Sequence, residues 1–548
     1  MKEPVRVLMV FALMSLGVGG STVNAGETLY NGIVLPSPWP PRAEKLTREP
    51  MSPPYLASPP AVIPIDVGRQ LFVDDFLIEK TDLKRTFHLA ELHPKNPILK
   101  PDKPWETVTQ RDPTAMVFSD GVWFDPQDKL FKMWYMGGYV RGTCYAFSKD
   151  GITWEKPLLP KVSALREVES NVVQLGWRDS ATAWLDLEEK DPAKRFKFFV
   201  VETHEKKWKL AVHFSRDGVD WGERLAWSTP VGDRTTVFHN PFRRAWVYSI
   251  RADFPGMGRS RRYREHPDAL AGASWRPEEA VPWVGADRED PPRPDLRNPP
   301  QLYNLDAVAY ESLLLGLFTI WPGQPKDRAK PNYLCLGFSR DGFHWSRPDH
   351  RPFIGVSERY GDWNWGNVQS AGGGCLVVGD QLYFYFSARG GIQGSQASGT
   401  SVTGLATLRR DGFASMDAGE AEGTLTTRPL RFSGKHLFVN ADAKAGELAA
   451  EILGADGQPI PPFTRANCVV GGATLSRDSV LLPVTWKGAS DLSALAGKPV
   501  RFRFFLRNAR LYAIWVSPDA SGASHGYVAA GGPGLTAPTD TVGTQALR

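Results

Sequence analysis

The sequence has few cysteines and no long apolar stretch beyond its first residues. Four cysteines occur in 548 residues, and Cys144 and Cys335 hold the same position in two repeated units. Because equivalent positions of different units lie far apart, we predict buried free thiols there rather than a disulfide framework. The apolar run 7–16, followed by Val23-Asn-Ala25, indicates a signal peptide over residues 1–25. No later stretch suits a transmembrane helix, so we expect an exported protein, periplasmic or secreted, without a membrane anchor.

The sequence also lacks a strong excess of charge. It has 65 Lys and Arg against 60 Asp and Glu, a formal net charge of +5, with no dense basic stripe. This balance argues against nucleic acid as the main partner. Neither a His-x-x-x-His motif nor cysteine pairs at zinc spacing occur, so we predict no cofactor and no protein-ligated metal. A cation held by channel aspartates and water is left open, and so is the oligomeric state.

Aromatic residues, glycine and proline are abundant instead. The chain contains 19 Trp, 28 Phe, 15 Tyr, 52 Gly and 45 Pro, a composition that favours short strands and many turns. The length predicts two folded units. Prolines concentrate in residues 26–65, which we interpret as a stiff, poorly ordered leader.

Two short signatures recur along the chain. An Arg beside an Asp opens each unit, as in Gln110-Arg111-Asp112-Pro113, Trp177-Arg178-Asp179-Ser180 and, inverted, Gly232-Asp233-Arg234-Thr235. A Ser-x-Asp-Gly turn followed by Trp closes each unit, at 147–154, 214–221 and 338–345, with a weaker copy at 408–413. The spacing from opening Asp to closing Trp is the same for Asp112 to Trp154, Asp179 to Trp221 and Asp233 to Trp275. A fourth opening is Tyr303-Asn-Leu-Asp306, so these four aspartates occupy one position of a repeat.

The repeat predicts an all-β fold. Each unit contains three or four strands, such as 115–123, 130–135 and 143–148 in the first, and five such units indicate a five-bladed β-propeller over residues 66–425. Residues 66–100 are expected to join its first unit. A different alternation of apolar residues over 426–517 predicts a β-sandwich. The small-residue segment 518–548 is expected to be a disordered tail.

The opening aspartates are the main candidates for chemistry. In a propeller the innermost strands all start at one end of the central channel. Side chains at one position of the repeat near these starts therefore form a ring around the channel. A ring of carboxylates suits glycosidic bond cleavage, which needs a nucleophile or base and an acid. The Asp of the Ser-x-Asp-Gly turn is expected to be structural instead, because it can bond the local backbone while Gly takes a positive φ. Salt bridges between blades are the structural alternative for the Arg-Asp pairs, and Asp306 could be structural or hold substrate.

These motifs resemble the glycoside hydrolases of families 32 and 43, and family 32 more closely because it adds a C-terminal β-sandwich. The resemblance spans about residues 66–517 and implies that Asp112 is the nucleophile and Asp179 stabilises the transition state. The third position departs from the family 32 pattern, because Asp233-Arg234 stands in place of Glu-Cys. Either Asp233 or Glu202, in Val200-Val-Glu-Thr-His204, is therefore the candidate general acid.

A second group of residues is predicted to bind sugar. Trp faces stack on sugar rings and amides bond hydroxyls, which makes the segment Gly361–Gln369 a candidate through Trp363, Trp365, Asn367 and Gln369. Inter-blade packing is the alternative for at least one Trp. Arg111, Arg178 and Arg234 are expected to converge beside the aspartates, where they would orient carboxylates or bind an anionic sugar.

The function predicted from the sequence is an exported glycoside hydrolase. We expect it to act on an oligo- or polysaccharide, in exo mode on a furanoside or related glycan. A non-catalytic carbohydrate-binding propeller and a glycoside phosphorylase are the alternatives. A sialidase is disfavoured, because that fold has six blades and a Tyr-Glu pair that we do not find.

Overall fold

The computed structural model describes residues 26–109, 111–160, 164–165, 168–296, 298–471 and 478–547. The predicted signal peptide lies outside these residues. Helical structure is limited to α1 (Pro54–Ala57) and 3-10 turns at Pro104–Glu106, Pro192–Lys194, Ala271–Ala273, Pro277–Glu279, Arg465–Asn467, Ser493–Leu495 and Gly543–Leu547. None of the described helices has the length and apolar character of a membrane span.

Five short strands precede the repeat. They are β1 (Ile63–Pro64), β2 (Gln70–Leu71), β3 (Ile78–Thr81), β4 (Lys84–Phe87) and β5 (Glu91–Leu92). The first four pair with strands from the C-terminal part of the chain, and β5 pairs with the last blade. The expectation that this segment joins the first unit is therefore wrong.

The first two blades follow in chain order. Blade I contains β6 (Ala115–Asp125), β7 (Leu130–Gly137), β8 (Gly142–Ser148), β9 (Trp154–Glu155) and β10 (Val172–Leu175). Blade II contains β11 (Arg178–Leu185), β12 (Phe196–His204), β13 (Lys207–Ser215) and β14 (Ala226–Trp227). All their pairings are antiparallel, with β6 and β11 at one edge of each sheet.

Three further blades have the same plan. Blade III contains β15 (Thr236–Asn240), β16 (Ala245–Phe254), β17 (Gly258–His266) and β18 (Val281–Gly285). Blade IV contains β19 (Gln301–Glu311), β20 (Leu313–Trp321) and β21 (Tyr333–Ser339). Blade V contains β22 (Asn367–Ser370), β23 (Leu376–Val378), β24 (Gln381–Arg389) and β25 (Ser401–Arg409).

The five sheets close into a ring. Strand β6 contacts β11, β11 contacts β15, β15 contacts β19, β19 contacts β22, and β22 contacts β6. The outer strand of blade V, β25, pairs with β5 from the N-terminal segment. The predicted propeller is confirmed, and its last blade is completed by a strand from far upstream, which covers an otherwise exposed edge.

The closing turns have the predicted structural role. In blade I the Asp150 carboxylate accepts hydrogen bonds from the backbone N–H groups of Ile152 (2.8 Å) and Thr153 (2.7 Å), and Gly151 has φ +73°. Asp217 and Asp341 make the same bonds in blades II and IV. These aspartates shape turns, since an Asp side chain can replace the backbone as acceptor.

The second body is a β-sandwich. Its strands are β26 (Ala414–Ala418), β27 (Gly423–Thr427), β28 (Leu430–Arg431), β29 (His436–Asp442), β30 (Glu447–Leu453), β31 (Cys468–Val470), β32 (Asp478–Trp486), β33 (Arg501–Arg507) and β34 (Ala509–Ser517). One sheet takes in β2 and β4, the other takes in β3, and β1 pairs with β28. The leader is folded as well, because Leu29, Ile33 and Tyr55 are buried in the core of the sandwich.

The C-terminal segment is ordered, which corrects the expectation of a disordered tail. Strand β35 (Tyr527–Val528) pairs with the end of β19. Three backbone hydrogen bonds then tie the next residues to different blades: Phe124 N to Ala530 O (2.9 Å), Ala529 N to Ala309 O (3.1 Å) and Val377 N to Gly531 O (2.8 Å). The segment crosses the end of the channel where the inner strands finish, so that end is closed.

A buried ionic network joins the two bodies. Arg69 precedes β2, Glu311 ends β19, Arg410 and Asp411 follow β25, and Asp540 belongs to the tail. All five side chains are fully buried. Arg69 bonds Asp411 (2.8 Å), while Arg410 lies 3.1 Å from Asp540 and 3.2 Å from Glu311. The N-terminal segment, two blades and the tail therefore meet at one electrostatic centre.

The cysteines remain thiols. Within the described residues all four are free, and Cys144 and Cys335 are buried in the propeller core. The prediction for these two residues is confirmed.

Candidate active site in the propeller channel

The blade openings lie together at the open end of the channel. Asp112 stands three residues before β6, Asp179 is the second residue of β11, and Asp233 precedes β15. The Ser180 hydroxyl donates to the carbonyl of Asp233 (3.0 Å), which joins the openings of blades II and III. Each of these three aspartates therefore stands at or just before the start of an inner strand.

Asp179 faces Arg234 across the gap between blades II and III. Arg234 Nη1 lies 3.5 Å from Asp179 Oδ1, and that inaccessible oxygen makes no hydrogen bond within the described residues. Burial raises the pKa of Asp179; the charge of Arg234 opposes this shift and that of Asp233 adds to it. Asp179 is therefore a largely buried carboxyl group beside one cation, with one oxygen unpaired among the described residues.

A bulge in β6 positions the partners of Arg234. The register between β6 and β7 shifts between Met116 and Gly121, and Phe118 has a positive φ of +49°. This conformation is uncommon for a residue other than Gly, and bulges re-aim side chains next to functional sites. The Phe118 ring lies 3.8 Å from the Arg234 guanidinium, and Ser119 Oγ accepts from Arg234 Nη2 at 2.9 Å.

Asp112 is held by the loop between β24 and β25. Its Oδ1 accepts a hydrogen bond from the Gly399 N–H (3.1 Å), and the side chain remains partly exposed. A Cβ at Gly399 would lie 2.6 Å from the carbonyl oxygen of Gly391, so this close approach requires glycine. Asp112 therefore presents a positioned carboxylate to the open end.

The two candidates for the general acid have different surroundings. Asp233 lies 3.5 Å from Arg251 Nε and 3.7 Å from Arg259 Nη1, so it faces two guanidinium groups. Glu202, near the end of β12, accepts a hydrogen bond from Gln174, and burial raises its pKa although the charge of Arg178 opposes the shift. A raised pKa suits a proton donor, which favours Glu202 over Asp233.

The three predicted arginines do not converge. Arg178 is fully buried and bonds both carboxylate oxygens of Asp120, at 2.6 and 2.5 Å, so it forms a salt bridge between blades. Arg111 is exposed and donates to Ser395 Oγ (3.2 Å). Only Arg234 faces a candidate catalytic carboxyl group.

Asp306 lies deeper in the channel than the other opening aspartates. It is buried in β19 and accepts hydrogen bonds from Ser370 Oγ (2.5 Å) and Asn304 Nδ2 (2.7 Å). Burial raises its pKa, and the Ser370 hydrogen bond together with the charges of Arg234 and Arg261 opposes the shift. Its bonds link blades IV and V, which fits the structural reading.

The predicted sugar-binding segment of blade V divides into two parts. Trp365 is buried beneath the Arg328 guanidinium (4.4 Å), and Trp363 packs on Phe386, so both rings contribute to packing. Gln369 Nε2 donates to Asn367 Oδ1 (3.1 Å). Asn367 Nδ2 and Gln369 Oε1 make no hydrogen bond within the described part of the chain, which leaves polar atoms for a ligand.

Several site residues have no sequence signature. Arg251 and Arg259 come from the β16–β17 hairpin and Lys330 from the loop after β20. Tyr303 stands in the fourth opening and could have been found from that motif. The other three lie at strand ends or in loops where the repeat has no common residue, so no pattern marks them.

Metal-ligating side chains meet away from this site. In the described residues, Asp287, Asp290 and His350 form the one cluster with the chemistry of a metal site. Arg347 bonds Asp290 (2.9 Å) and Asp287 (3.3 Å), so a guanidinium already neutralises these carboxylates. The arrangement is an ion-pair cluster.

Comparisons with known proteins give structural matches only. No family model and no curated protein matches the chain. Solved structures that align include a putative glycoside hydrolase from Bacteroides ovatus, with 12% identity over 59% of this chain and 96% of that one, at a TM-score of 0.35. A thermostable family-43 glycoside hydrolase aligns with 11% identity over 54% of this chain and 92% of that one, at a TM-score of 0.36.

A fructofuranosidase from Schwanniomyces occidentalis in complex with fructose covers more of the chain. It aligns with 11% identity over 78% of this chain and 97% of that one, at a TM-score of 0.35. The structural matches therefore include glycoside hydrolases, as the sequence resemblance predicted. Similarity at these TM-scores does not identify a reaction, so function has to be inferred from the side chains of the channel.

Proposed function

We propose that this chain is a glycoside hydrolase with its active site at the open end of the propeller channel. The observation that supports the proposal is that Asp112, Asp179 and Glu202 stand beside the ends of strands in two neighbouring blades and have different surroundings. Glycosidic bond cleavage needs carboxyl groups in different protonation states, and environment sets those states.

Each carboxyl group has a proposed role. Asp112, partly exposed and held by a backbone N–H, is the nucleophile or base. Asp179, beside Arg234, stabilises the positive charge that develops on the sugar ring. Glu202 is the general acid, because burial raises its pKa. Asp233, engaged by two arginines, belongs to substrate binding rather than proton transfer.

Exo action is the proposed mode, in which a chain end is bound beside the opening aspartates. Residues 529–531 are bonded to blades I, IV and V where the inner strands finish, so the substrate is proposed to enter from the other end. A furanoside or related glycan as substrate, and export of the chain, remain part of the proposal through the sequence resemblance and the predicted signal peptide.

The test is hydrolysis of a glycan panel and aryl glycosides by the chain from residue 26 onwards. Asp112→Asn should lower kcat by about 100-fold or more on every substrate, since an amide is neither nucleophile nor base. Glu202→Gln should lose activity on natural glycans yet keep it on aryl glycosides with good leaving groups, which need no protonation. Glu205→Gln is the matched control, because Glu205 follows the same strand and is 70% exposed.

Two outcomes would contradict the assignment. Full turnover by Asp112→Asn would remove that residue from the reaction. Saccharide binding without release, unchanged in both variants, would indicate a non-catalytic binding propeller instead.

A further inference from the structure

Four cationic side chains gather on the blade III and blade IV side of the open end. Arg234 precedes β15, Arg251 lies on β16, Arg259 lies on β17, and Lys330 follows β20. The side chains of Arg251 and Arg259 are 24% and 22% exposed, so both are held by the fold yet reachable from the channel.

The nearby carboxylates do not accept hydrogen bonds from all the donors of these cations. Asp233 lies at 3.5 and 3.7 Å from the two guanidinium groups, beyond good hydrogen-bond distance, and Arg251 also pairs with the largely exposed Asp253 (2.8 Å). In the described residues, four inaccessible N–H positions of this group make no hydrogen bond: Arg234 Nε and Nη1, Arg251 Nε and Arg259 Nη1. Buried donors without acceptors are rare in proteins, and each needs an explanation.

The contacts and the pKa of Tyr303 reflect the positive charge of the cluster. Its ring lies 4.8 Å from both the Arg259 guanidinium and Lys330 Nζ, and Lys330 donates to its hydroxyl at 3.0 Å. Although burial alone would raise the pKa of Tyr303, Lys330 and Arg234 hold it below its ordinary value. Deeper in the channel, burial and the charge of Arg234 lower the pKa of Arg261 to about 9.

Two arginines elsewhere in the propeller have bidentate carboxylate partners. Arg178 bonds both oxygens of Asp120, and Arg195 bonds Asp125 in the same bidentate manner. Bidentate pairing is the strong form of arginine–carboxylate contact. The cluster at the open end differs from these two pairs, because Arg251 and Arg259 have no bidentate carboxylate partner in the described residues and are partly exposed.

We infer that Arg251, Arg259 and Lys330 bind an anionic group of the substrate, a carboxylate or a sulfate ester on a sugar, beside the catalytic carboxyl groups. This inference rests on the proposed glycoside hydrolase function for its site. Guanidinium groups match the planar geometry of a carboxylate and the oxygens of a sulfate, and the exposed parts of the Arg251 and Arg259 side chains can donate to a ligand oxyanion. Uronic acids and sulfated sugars share this chemistry.

The test measures binding of glucuronate, inorganic sulfate and neutral glucose to the chain carrying Asp112→Asn, by calorimetry at low salt. We expect at least one anion to bind while glucose does not, and Arg259→Gln to weaken anion binding about tenfold or more, since it removes a charged hydrogen bond. Arg276→Gln is the matched control, because Arg276 is a blade III arginine whose side chain is 75% exposed. Binding of glucuronate alone identifies a carboxylate, and binding of sulfate alone identifies a sulfate ester.

The result has separate consequences for the two proposals. Absence of binding by both anions at tens of millimolar, or equal anion binding by Arg259→Gln and Arg276→Gln, would overturn the anion site. Hydrolysis of neutral glycans together with that result would leave the glycoside hydrolase proposal standing. If Arg259→Gln weakens anion binding but the unsubstituted chain hydrolyses no glycan, the anion site would stand and the glycoside hydrolase proposal would be overturned.

Discussion

Removal of the Asp540 carboxylate should destabilise the fold, although residue 540 belongs to a tail of small residues. The buried network contains two guanidinium groups, Arg69 and Arg410, and three carboxyl groups, Glu311, Asp411 and Asp540. Burial, above all, raises the pKa of Glu311, while the pKa values of Asp411 and Asp540 are held below their ordinary range. The two guanidinium groups are thus balanced by carboxyl groups that contact them directly.

Asp540→Ala breaks this balance. Breaking a buried ion pair by removing one partner lowers the free energy of unfolding by about 3–5 kcal/mol, because the other charge stays buried. Glu311 stays 3.2 Å from Arg410 in the variant and still offers a carboxyl partner to this cation, so we expect the lower end of that range. Asp540 Oδ1 also accepts from the N–H groups of Val542 (3.2 Å) and Gly543 (2.8 Å), and their loss adds to the effect.

Urea unfolding followed by tryptophan fluorescence measures this change. Asp519→Ala is the control, since Asp519 is an exposed tail residue whose carboxylate accepts only from Ser521 among the described contacts. Arg410→Met should cost more than Asp540→Ala, because it removes a cation that both Glu311 and Asp540 contact. A stability of Asp540→Ala within about 0.5 kcal/mol of the control would refute the proposed balance of charges.

Two further predictions concern the tail and the general acid. Truncation after Ser517 should lower the unfolding temperature and open the closed end of the channel, because residues 529–531 bond three blades; an unchanged unfolding temperature would contradict this. The pKa of Glu202 is raised, so kcat/KM on natural glycans should fall as pH rises through that value, as its proton is lost. On activated aryl glycosides, which need no protonation, the unsubstituted chain should lack this limb, and a limb of equal size there would assign it to another group.

The propeller could be predicted because its repeat has local causes. The Ser-x-Asp-Gly turn at Asp150 needs only its own backbone and a glycine with positive φ, so the sequence signature and the structure coincide. The same holds for the aromatic strand 130–135, which lies within β7. Local patterns of this kind are found in the structure where the sequence predicts them, because no distant partner is required to form them.

The domain boundaries could not be predicted, because distant pairing determines them. Strand β4 pairs with β26 and β5 pairs with β25, yet more than 300 residues separate the partners in the sequence. Nothing local distinguishes a short strand that joins the next sheet from one that joins the last. From the sequence we therefore assign residues 66–100 to the first unit, because they precede it in the chain. In the structure these residues pair with the last blade and with the sandwich instead.

The prediction for the tail was wrong for a different reason, since the expectation of disorder rested on its composition of small residues. A Cβ at Gly532 would lie 1.7 Å from the carbonyl oxygen of Val377, and one at Gly526 would lie 2.1 Å from Glu311 Oε2. Small residues are required here because the backbone itself packs against the ends of the inner strands. Low apolar content thus indicates disorder only where the backbone has no partner, and here it has partners on three blades.

Arg178 and Arg234 show why a repeat position does not determine a side chain's role. Both stand in an Arg-Asp opening, yet Arg178 is neutralised by Asp120 while Arg234 keeps unpaired donors at the open end. The difference lies in β6, where the bulge at Phe118 turns Asp120 towards blade II and places the aromatic ring under Arg234. Repeat symmetry fixes where each backbone segment enters the channel, and the neighbouring blade decides whether its arginine gains a bidentate carboxylate partner.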